Sequence, residues 1–337
     1  MTHNRSMKCA LVTGGTGFIG AYVVRRLLEE ERGTWVRLLV RNPGRVPEDI
    51  RGAVEVVPGD LLDRAAVRTA VEGADTVLHL AALARAWAPD PSSFHATNVG
   101  ALSALLEEMD RAGVQRFVHV STVMAGGPRG SGAANGANGS RTPSPYEISK
   151  REGEQLVLER TGSSAHAVIV RPTRVYGPGP LHDANGVTKM LHLYIKGQFR
   201  VRLDDGDVLG NYVHADDVAR GVLLAARRGA RGGVYTLGSE NISLRGLLEL
   251  ASELSGVRRA VVPIPAWAGL AIGAVAELSG LVGATPFITR DWVRTFLEDW
   301  RVDIGPARRD LGYEPRTLRA GLAETIAWLR SPGAAPA

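Results

Sequence analysis

Apolar residues follow two alternating rhythms through the first half of the chain. Short runs rich in β-branched residues recur at 9–12, 36–40, 54–57, 76–80, 117–120 and 168–170, each with the length of a buried strand. Between them, 21–31, 65–72, 92–112 and 146–160 carry apolar positions at helical spacing. Strands alternating with helices predict βαβ units, so the expected class is α/β with a doubly wound parallel sheet.

Beyond Pro178 the rhythm stops. Residues 186–197, 243–255 and 267–281 read as helices, while 213–227 and 234–237 return to the earlier pattern and are expected to rejoin the sheet. The expected division sets 1–177 with 212–240 in the sheet domain and 178–211 with 241–330 in a smaller, mostly helical lobe. Residues 126–140 are dominated by Gly, Ala, Asn and Ser and cannot bury a core face; a surface loop and a substrate flap are both open readings. The most apolar stretch, 261–287, contains Pro263, Pro265, Glu277 and several glycines. It falls short of the ~20 uninterrupted apolar residues of a spanning helix, so a buried or lid-forming helix is expected, without stable membrane insertion.

Composition narrows the classes. With 45% hydrophobic and 22% charged residues in 337, the chain is an ordinary globular protein. The net charge of +5 suits anionic ligands, but the basic residues are scattered rather than gathered in a stripe, so no nucleic-acid partner is expected. A single cysteine, Cys9, excludes an internal disulfide, and residues 1–8 carry no apolar signal core; a cytoplasmic location is expected. No metal site is expected.

The first candidate chemistry follows the first strand. Thr13-Gly14-Gly15-Thr16-Gly17-Phe18-Ile19-Gly20 stands between a strand and a helix. Glycines there permit a tight turn, close backbone approach to a pyrophosphate and close helix packing, while the helix start offers free N–H groups. This context predicts a dinucleotide site. Arg41 ends the second strand about twenty residues on, and no Asp or Glu occupies 38–43. An acid there would suit a ribose 2′-hydroxyl; an arginine suits a 2′-phosphate, so NADP(H) is expected over NAD(H). Asp60 and Leu61 after the third strand are candidates for the adenine side, and Leu80, Ala81 and Ala82 for close backbone approach.

Tyr146 and Lys150 are four apart on one predicted helix and share a face. Ser144, Pro145 and Glu147 mark its start as an N-cap, a first-turn proline and a capping box. A free phenol titrates near pH 10, too high for an easy proton shuttle, and a nearby ammonium is expected to lower it. Lys150 is also a candidate for the cofactor ribose. Ser121 and Thr122 end the fifth strand, at the sheet edge where ligands bind, and either hydroxyl could hold a substrate carbonyl oxygen.

Taken together, the glycine run, Asp60, His79–Ala82, Ser121, the Tyr146/Lys150 pair, Arg171-Pro172 and Val213-His214-Ala215-Asp216-Asp217 resemble the extended short-chain dehydrogenase/reductases of the NAD-dependent epimerase/dehydratase family. The likeness runs through Leu311-Gly312-Tyr313-Glu314-Pro315. It implies that the serine and tyrosine bind the reacting oxygen, with the tyrosine as acid and base. Spacing to Gly126 makes Ser121 the better match and Thr122 the second. The resemblance also implies that Asn98 supports the lysine, that Pro172 borders the cofactor, and that a homodimer could pair the helices at 92–112 and 146–160.

Within the family the sequence is most similar to the branch holding 3β-hydroxysteroid dehydrogenases, dihydroflavonol-type reductases and hopanoid-associated sugar epimerases, on Trp87-Ala88-Pro89-Asp90 and the apolar helix with Glu277 before Pro286. Nucleotide-sugar epimerases are the nearest rival, but Gly210-Asn211-Tyr212 stands where they carry Arg-Asp-Phe, and Arg174 replaces their usual asparagine. Arg174 is left between a fold role and a contact to an anionic substrate group. Val123-Met124 in place of an Asp-Glu pair argues against a sugar dehydratase. A non-catalytic NADP(H)-binding regulator is the reading from another class, and the intact Ser121, Tyr146 and Lys150 argue against it. The expectation is NADP(H)-dependent reduction of a ketone, or oxidation of a secondary alcohol, on a fairly apolar small molecule. Segments 181–199 and 267–281 are the expected pocket walls.

Overall fold

The computed structural model describes residues 7–85, 87–128, 142–160, 165–204, 206–279, 286 and 288–331. The first half runs β1 (Cys9–Thr13), α1 (Phe18–Glu30), β2 (Trp35–Val40), α2 (Glu48–Arg51), β3 (Glu55–Pro58), α3 (Arg64–Val71) and β4 (Thr76–His79), then α4 (Ser92–His95), α5 (Ala101–Ala112), β5 (Arg116–Val120), α6 (Pro145–Glu159) and β6 (His166–Pro172). The second half continues as β7 (Arg174–Tyr176), α7 (Gly186–Ile195), β8 (Val201–Leu203), β9 (Leu209–His214), α8 (Ala215–Arg228), β10 (Val234–Leu237) and β11 (Glu240–Ser243). It ends with α9 (Leu244–Ser255), β12 (Val262–Ile264), α10 (Ala266–Leu278), α11 (Arg290–Thr295) and α12 (Leu318–Arg330).

Seven strands form one sheet in the order β10-β6-β5-β4-β1-β2-β3, every pairing parallel. The order reverses at β1, between β2 and β4, and such a switch point opens a ligand crevice at the strands' C-terminal ends. Val and Leu of β1, β4 and β5 are buried on both faces, as helices on either side require. One core layer packs α1 and α8 on the sheet, with Val23, Leu27, Val218 and Val222 among its members. The other packs α3 and α5, through Val67, Leu102 and Leu105. A third core joins α7, α9 and α12 around Tyr194, Leu247 and Leu322, away from the main sheet.

Three expectations change. Residues 213–227 do not rejoin the sheet as a strand: β9 pairs β7 and β11 in a separate three-stranded sheet, and 215–228 is helix α8. Only β10 rejoins the main sheet, beside β6. The helix expected over 92–112 is broken by a π-helical stretch at Ala96–Gly100, which places Asn98 in the irregular turn. The helix at 267–281 is expected to be buried or lid-forming, and burial is not found: α10 buries only Gly269 and Gly273, leaving Trp267 72%, Val275 68% and Leu278 61% exposed. No helix among the described residues is long and apolar enough to cross a membrane. The loop at 126–140, read as a possible flap, lies outside the described residues from 129 onward.

Asp216 of the His-Ala-Asp-Asp segment is not a pocket residue. Its carboxylate accepts from Arg26 Nε and Nη2, each at 2.6 Å, and also pairs with Arg316. Asp217 lies 3.0 Å from Arg316 Nε. The motif therefore ties α1, α8 and the segment before α12 together.

Candidate active site

The glycine run turns directly off β1. Gly14 has φ +74°, and a Cβ there would stand 2.6 Å from the Ala81 backbone nitrogen. A Cβ on Gly20 would stand 2.0 Å from the Gly14 carbonyl oxygen. Only glycine fits either place. Gly17 caps α1 in an extended conformation without a side-chain hydrogen bond, leaving the first turn's N–H groups to a ligand. Gly15 packs on Leu38, Thr16 is half-buried, Phe18 is buried and Ile19 borders the main cavity. At the neighbouring strand end the Leu80 amide donates to the Thr13 carbonyl at 3.0 Å, which holds the 80–82 backbone beside the glycines. These residues fit a dinucleotide: the cradle has backbone donors and no room for side chains.

Arg41 ends β2 with its side chain 78% exposed, its Nε 4.0 Å from an Asp60 carboxylate oxygen. Asp60 accepts from the Leu62 amide at 2.9 Å, and Leu61 turns into the core.

The α6 start is built as its sequence predicts. Ser144 Oγ accepts from the Glu147 amide at 3.2 Å, and the Ser144 amide donates to Glu147 Oε2 at 2.8 Å. The helix brings Tyr146 and Lys150 to the ends of β5. Burial pushes the Tyr146 phenol up to about 12, against the opposing effect of the neighbouring Thr122 hydroxyl. The expected lowering by Lys150 is therefore not found. Burial outweighs the effect of that hydroxyl, and the Lys150 ammonium donates instead to the Val120 carbonyl at 2.9 Å. Burial also pushes Lys150 down to about 8, against the opposing charge of Glu154. Ser121 Oγ is buried and has no hydrogen-bond partner among the described residues. It borders the cavity with Thr122 and Tyr146.

Asn98, expected to support Lys150 through water, is hydrogen-bonded to Leu83 and Ser149. Its Oδ1 accepts from the Leu83 amide at 2.8 Å, and its Nδ2 donates to Ser149 Oγ at 3.0 Å, so it tethers the 83 backbone to α6 one residue before the lysine. Arg174 is held as a fold residue on most sides. It donates to the Thr295 carbonyl at 2.6 Å and stacks its guanidinium 4.4 Å from the centre of the Phe296 ring. It also borders the cavity.

That cavity has a volume of 490 Å³. Pro172 and Ile19 border it on the glycine side, Met190 and Phe199 come from 181–199, and Gly269 and Ile272 come from α10. Both expected wall segments are in place. Pattern reading missed α11, whose Trp292 and Val293 complete the wall with Phe296 just beyond the helix; a six-residue helix gives too little periodicity to stand out. It also missed His119. This buried histidine stacks 5.5 Å from His79, and neither of its ring nitrogens has a hydrogen-bond partner among the described residues. His79 instead shares a 2.7 Å hydrogen bond between its Nδ1 and Thr13 Oγ1.

Residues 10–238 match the family described as the NAD dependent epimerase/dehydratase family, and the chain belongs to it. Within that family it is an NAD(P)-dependent oxidoreductase of the extended short-chain dehydrogenase/reductase branch. It is 31% identical over 332 residues to the sterol demethylase protein B of Methylococcus capsulatus, covering 96% of this chain and 98% of that one. It is 32% identical over 345 residues to a 3β-hydroxysteroid dehydrogenase/Δ5→4-isomerase of Mycobacterium tuberculosis, covering 94% and 89%. The crystal structure of gox2253 superposes with a TM-score of 0.76 at 31% identity, covering 96% and 98%.

Proposed function

We propose that this protein reduces a ketone, or oxidises the matching secondary alcohol, on an apolar small molecule with NADP(H) as the redox partner. One observation carries the reading: Tyr146, Thr122 and Ser121, whose hydroxyl has no partner among the described residues, border one mainly apolar cavity that Ile19 of the α1 start also lines. The sterol and hydroxysteroid names of two relatives support an apolar, polycyclic class of substrate.

When bound, the nicotinamide group supplies or accepts the hydride. The glycine turn and the α1 start would hold its pyrophosphate, Lys150 the ribose, and Arg41 the 2′-phosphate, with Asp60, Leu61, Leu80, Ala81, Ala82 and Pro172 lining the approach. Tyr146 is protonated at neutral pH, which suits a proton donor to a ketone oxygen. Ser121 orients that oxygen, Thr122 holds the phenol, and Asn98 positions α6. Arg174 braces the wall by the end of α11. Residues 1–177 with 212–240 would bind the cofactor, and 178–211 with 241–330 the substrate. A homodimer through α5 and α6 is consistent with Ile148 and Leu158, exposed on α6. The lone Cys9 supports a cytoplasmic location.

Tyr146→Phe tests the reading. Expected is a fall in NADPH-dependent reduction of a steroid ketone of roughly 10²–10⁴-fold with cofactor binding retained. Unchanged turnover would reject the tyrosine chemistry.

A further inference from the structure

Helix α10 is apolar on two sides. Inward, Gly269 meets Leu203 and Gly273 meets the 289–290 backbone, and Gly269 and Ile272 form part of the cavity wall. Outward, Trp267, Val275 and Leu278 sit eight and eleven residues apart and share one exposed stripe. Val262 of β12, 59% exposed, and its register partner Val201 of β8 extend apolar surface beyond the helix start. Single exposed apolar residues need no explanation, but an adjoining set beside a cavity does.

The flank of this surface is cationic. The Val262 amide donates to the Arg200 carbonyl at 2.9 Å, which sets Arg200 at the N-terminal end of the β8–β12 pair. A Cβ on Gly197 would stand 3.2 Å from Arg259 Nε and 3.5 Å from Arg200 Nη2, so these two guanidinium groups meet there, and Arg258 precedes Arg259 in the chain. Arg200 and Arg258 are exposed and have no carboxylate partner among the described residues; Arg259 donates to the Ile195 carbonyl. An apolar helical stripe with a Trp at one end and arginines alongside is the chemistry that an anionic lipid surface recognises. The unpaired arginines favour anionic headgroups over a second copy of the same basic surface. We propose that α10 with the β8–β12 edge is an interfacial docking surface that seats the protein on anionic membrane, with Ile272 between lipid and cavity. Its purpose, delivery of apolar substrate from lipid, rests on the ketone reading; its existence does not.

The test is flotation of the full chain with phosphatidylcholine vesicles, with and without phosphatidylglycerol. Binding is expected only with the anionic lipid, weakening as salt rises. The triple variant Trp267→Gln, Val275→Glu, Leu278→Gln should bind roughly a hundredfold more weakly, since each buried apolar side chain contributes up to about tenfold. Arg258→Glu should weaken binding several-fold, and it serves as the independent probe if the triple variant unfolds. Failure to float with anionic vesicles would overturn the proposal. So would a dimer, seen by light scattering, that the triple variant splits while neither form floats. The assay involves no turnover, so its failure leaves the ketone chemistry standing, and a fully active Tyr146→Phe protein that still floats would reject only that chemistry.

Discussion

The Thr122 hydroxyl neighbours the Tyr146 phenol, while the adjacent Ser121 hydroxyl is buried without a partner among the described residues. The two strand-end hydroxyls thus have different work in the free protein. Thr122 Oγ1 accepts from the Met124 amide at 3.3 Å, closing the turn after β5. Ser121 borders the cavity with a buried hydroxyl that no described residue satisfies, an arrangement that costs stability.

Ser121→Ala should therefore leave thermal stability unchanged or slightly raised, because no hydrogen bond is lost. It should lower kcat/KM for reduction by roughly 10²-fold, the cost of an oxyanion donor. Thr122→Ala should instead lower stability by about 1 kcal/mol, the value of a capping hydroxyl. Paired melting and steady-state assays decide it. A larger stability loss in the serine variant would reverse the assignment.

Lys150 sets the expected alkaline limit of activity. Burial places its ammonium near 8, whereas the phenol stays protonated to about 12. Reduction should then fall above about pH 8 as the lysine loses its proton, with the tyrosine still able to donate. Lys150→Arg keeps its charge through this range and should remove the limb at pH 8, at reduced absolute rate. A pH profile of kcat/KM in both proteins checks this; a limb unmoved by the substitution would assign it elsewhere.

Much of the fold was legible because its signals are local. The glycine turn, the Ser144/Glu147 cap and the alternation of β1 to β6 with their helices each lie within a few residues, and local chemistry decides them. The pairing of β9 with β7 and β11 was not legible, because 209–214 (Leu-Gly-Asn-Tyr-Val-His) is a short, mostly buried segment whose composition does not choose between the sheets. The exposure of α10 was hidden for a related reason. An evenly apolar helix has no polar face to mark which side meets water. At the site, spacing brought Tyr146 and Lys150 to one face but could not give the direction of the Tyr146 shift, which depends on burial and on where the Lys150 ammonium points.

Arg41 carries the cofactor prediction. It ends β2 with a mostly exposed side chain, and the nearest charge is Asp60 at 4.0 Å, too distant to hold it fast. Arg41→Asp should reverse the NADP(H) preference by roughly 10–100-fold, through loss of a charge-assisted phosphate contact and gain of a ribose acceptor. Dissociation constants for both cofactors by fluorescence titration measure it. Equal ratios in the two proteins would remove Arg41 from cofactor choice.

The stacked His79 and His119 pair predicts how the protein responds to acid. Burial holds His79 down to about 3 and His119 well below its ordinary value, so both are neutral in the folded state. The unfolded chain takes up these protons near pH 6.5, so between there and about pH 3 it binds more protons than the folded one. Stability must then fall with pH in that window, by up to about 1.4 kcal/mol per unit for each histidine. His119→Phe removes one of the two, along with two ring nitrogens that have no partner. Its ring can keep the stack on His79 and Phe117, now 5.5 and 6.2 Å away. The variant should lose stability more slowly below pH 6.5, with little difference in slope at pH 8. Denaturant midpoints across this range measure the slope, and equal slopes for both proteins would show that His119 is not held neutral.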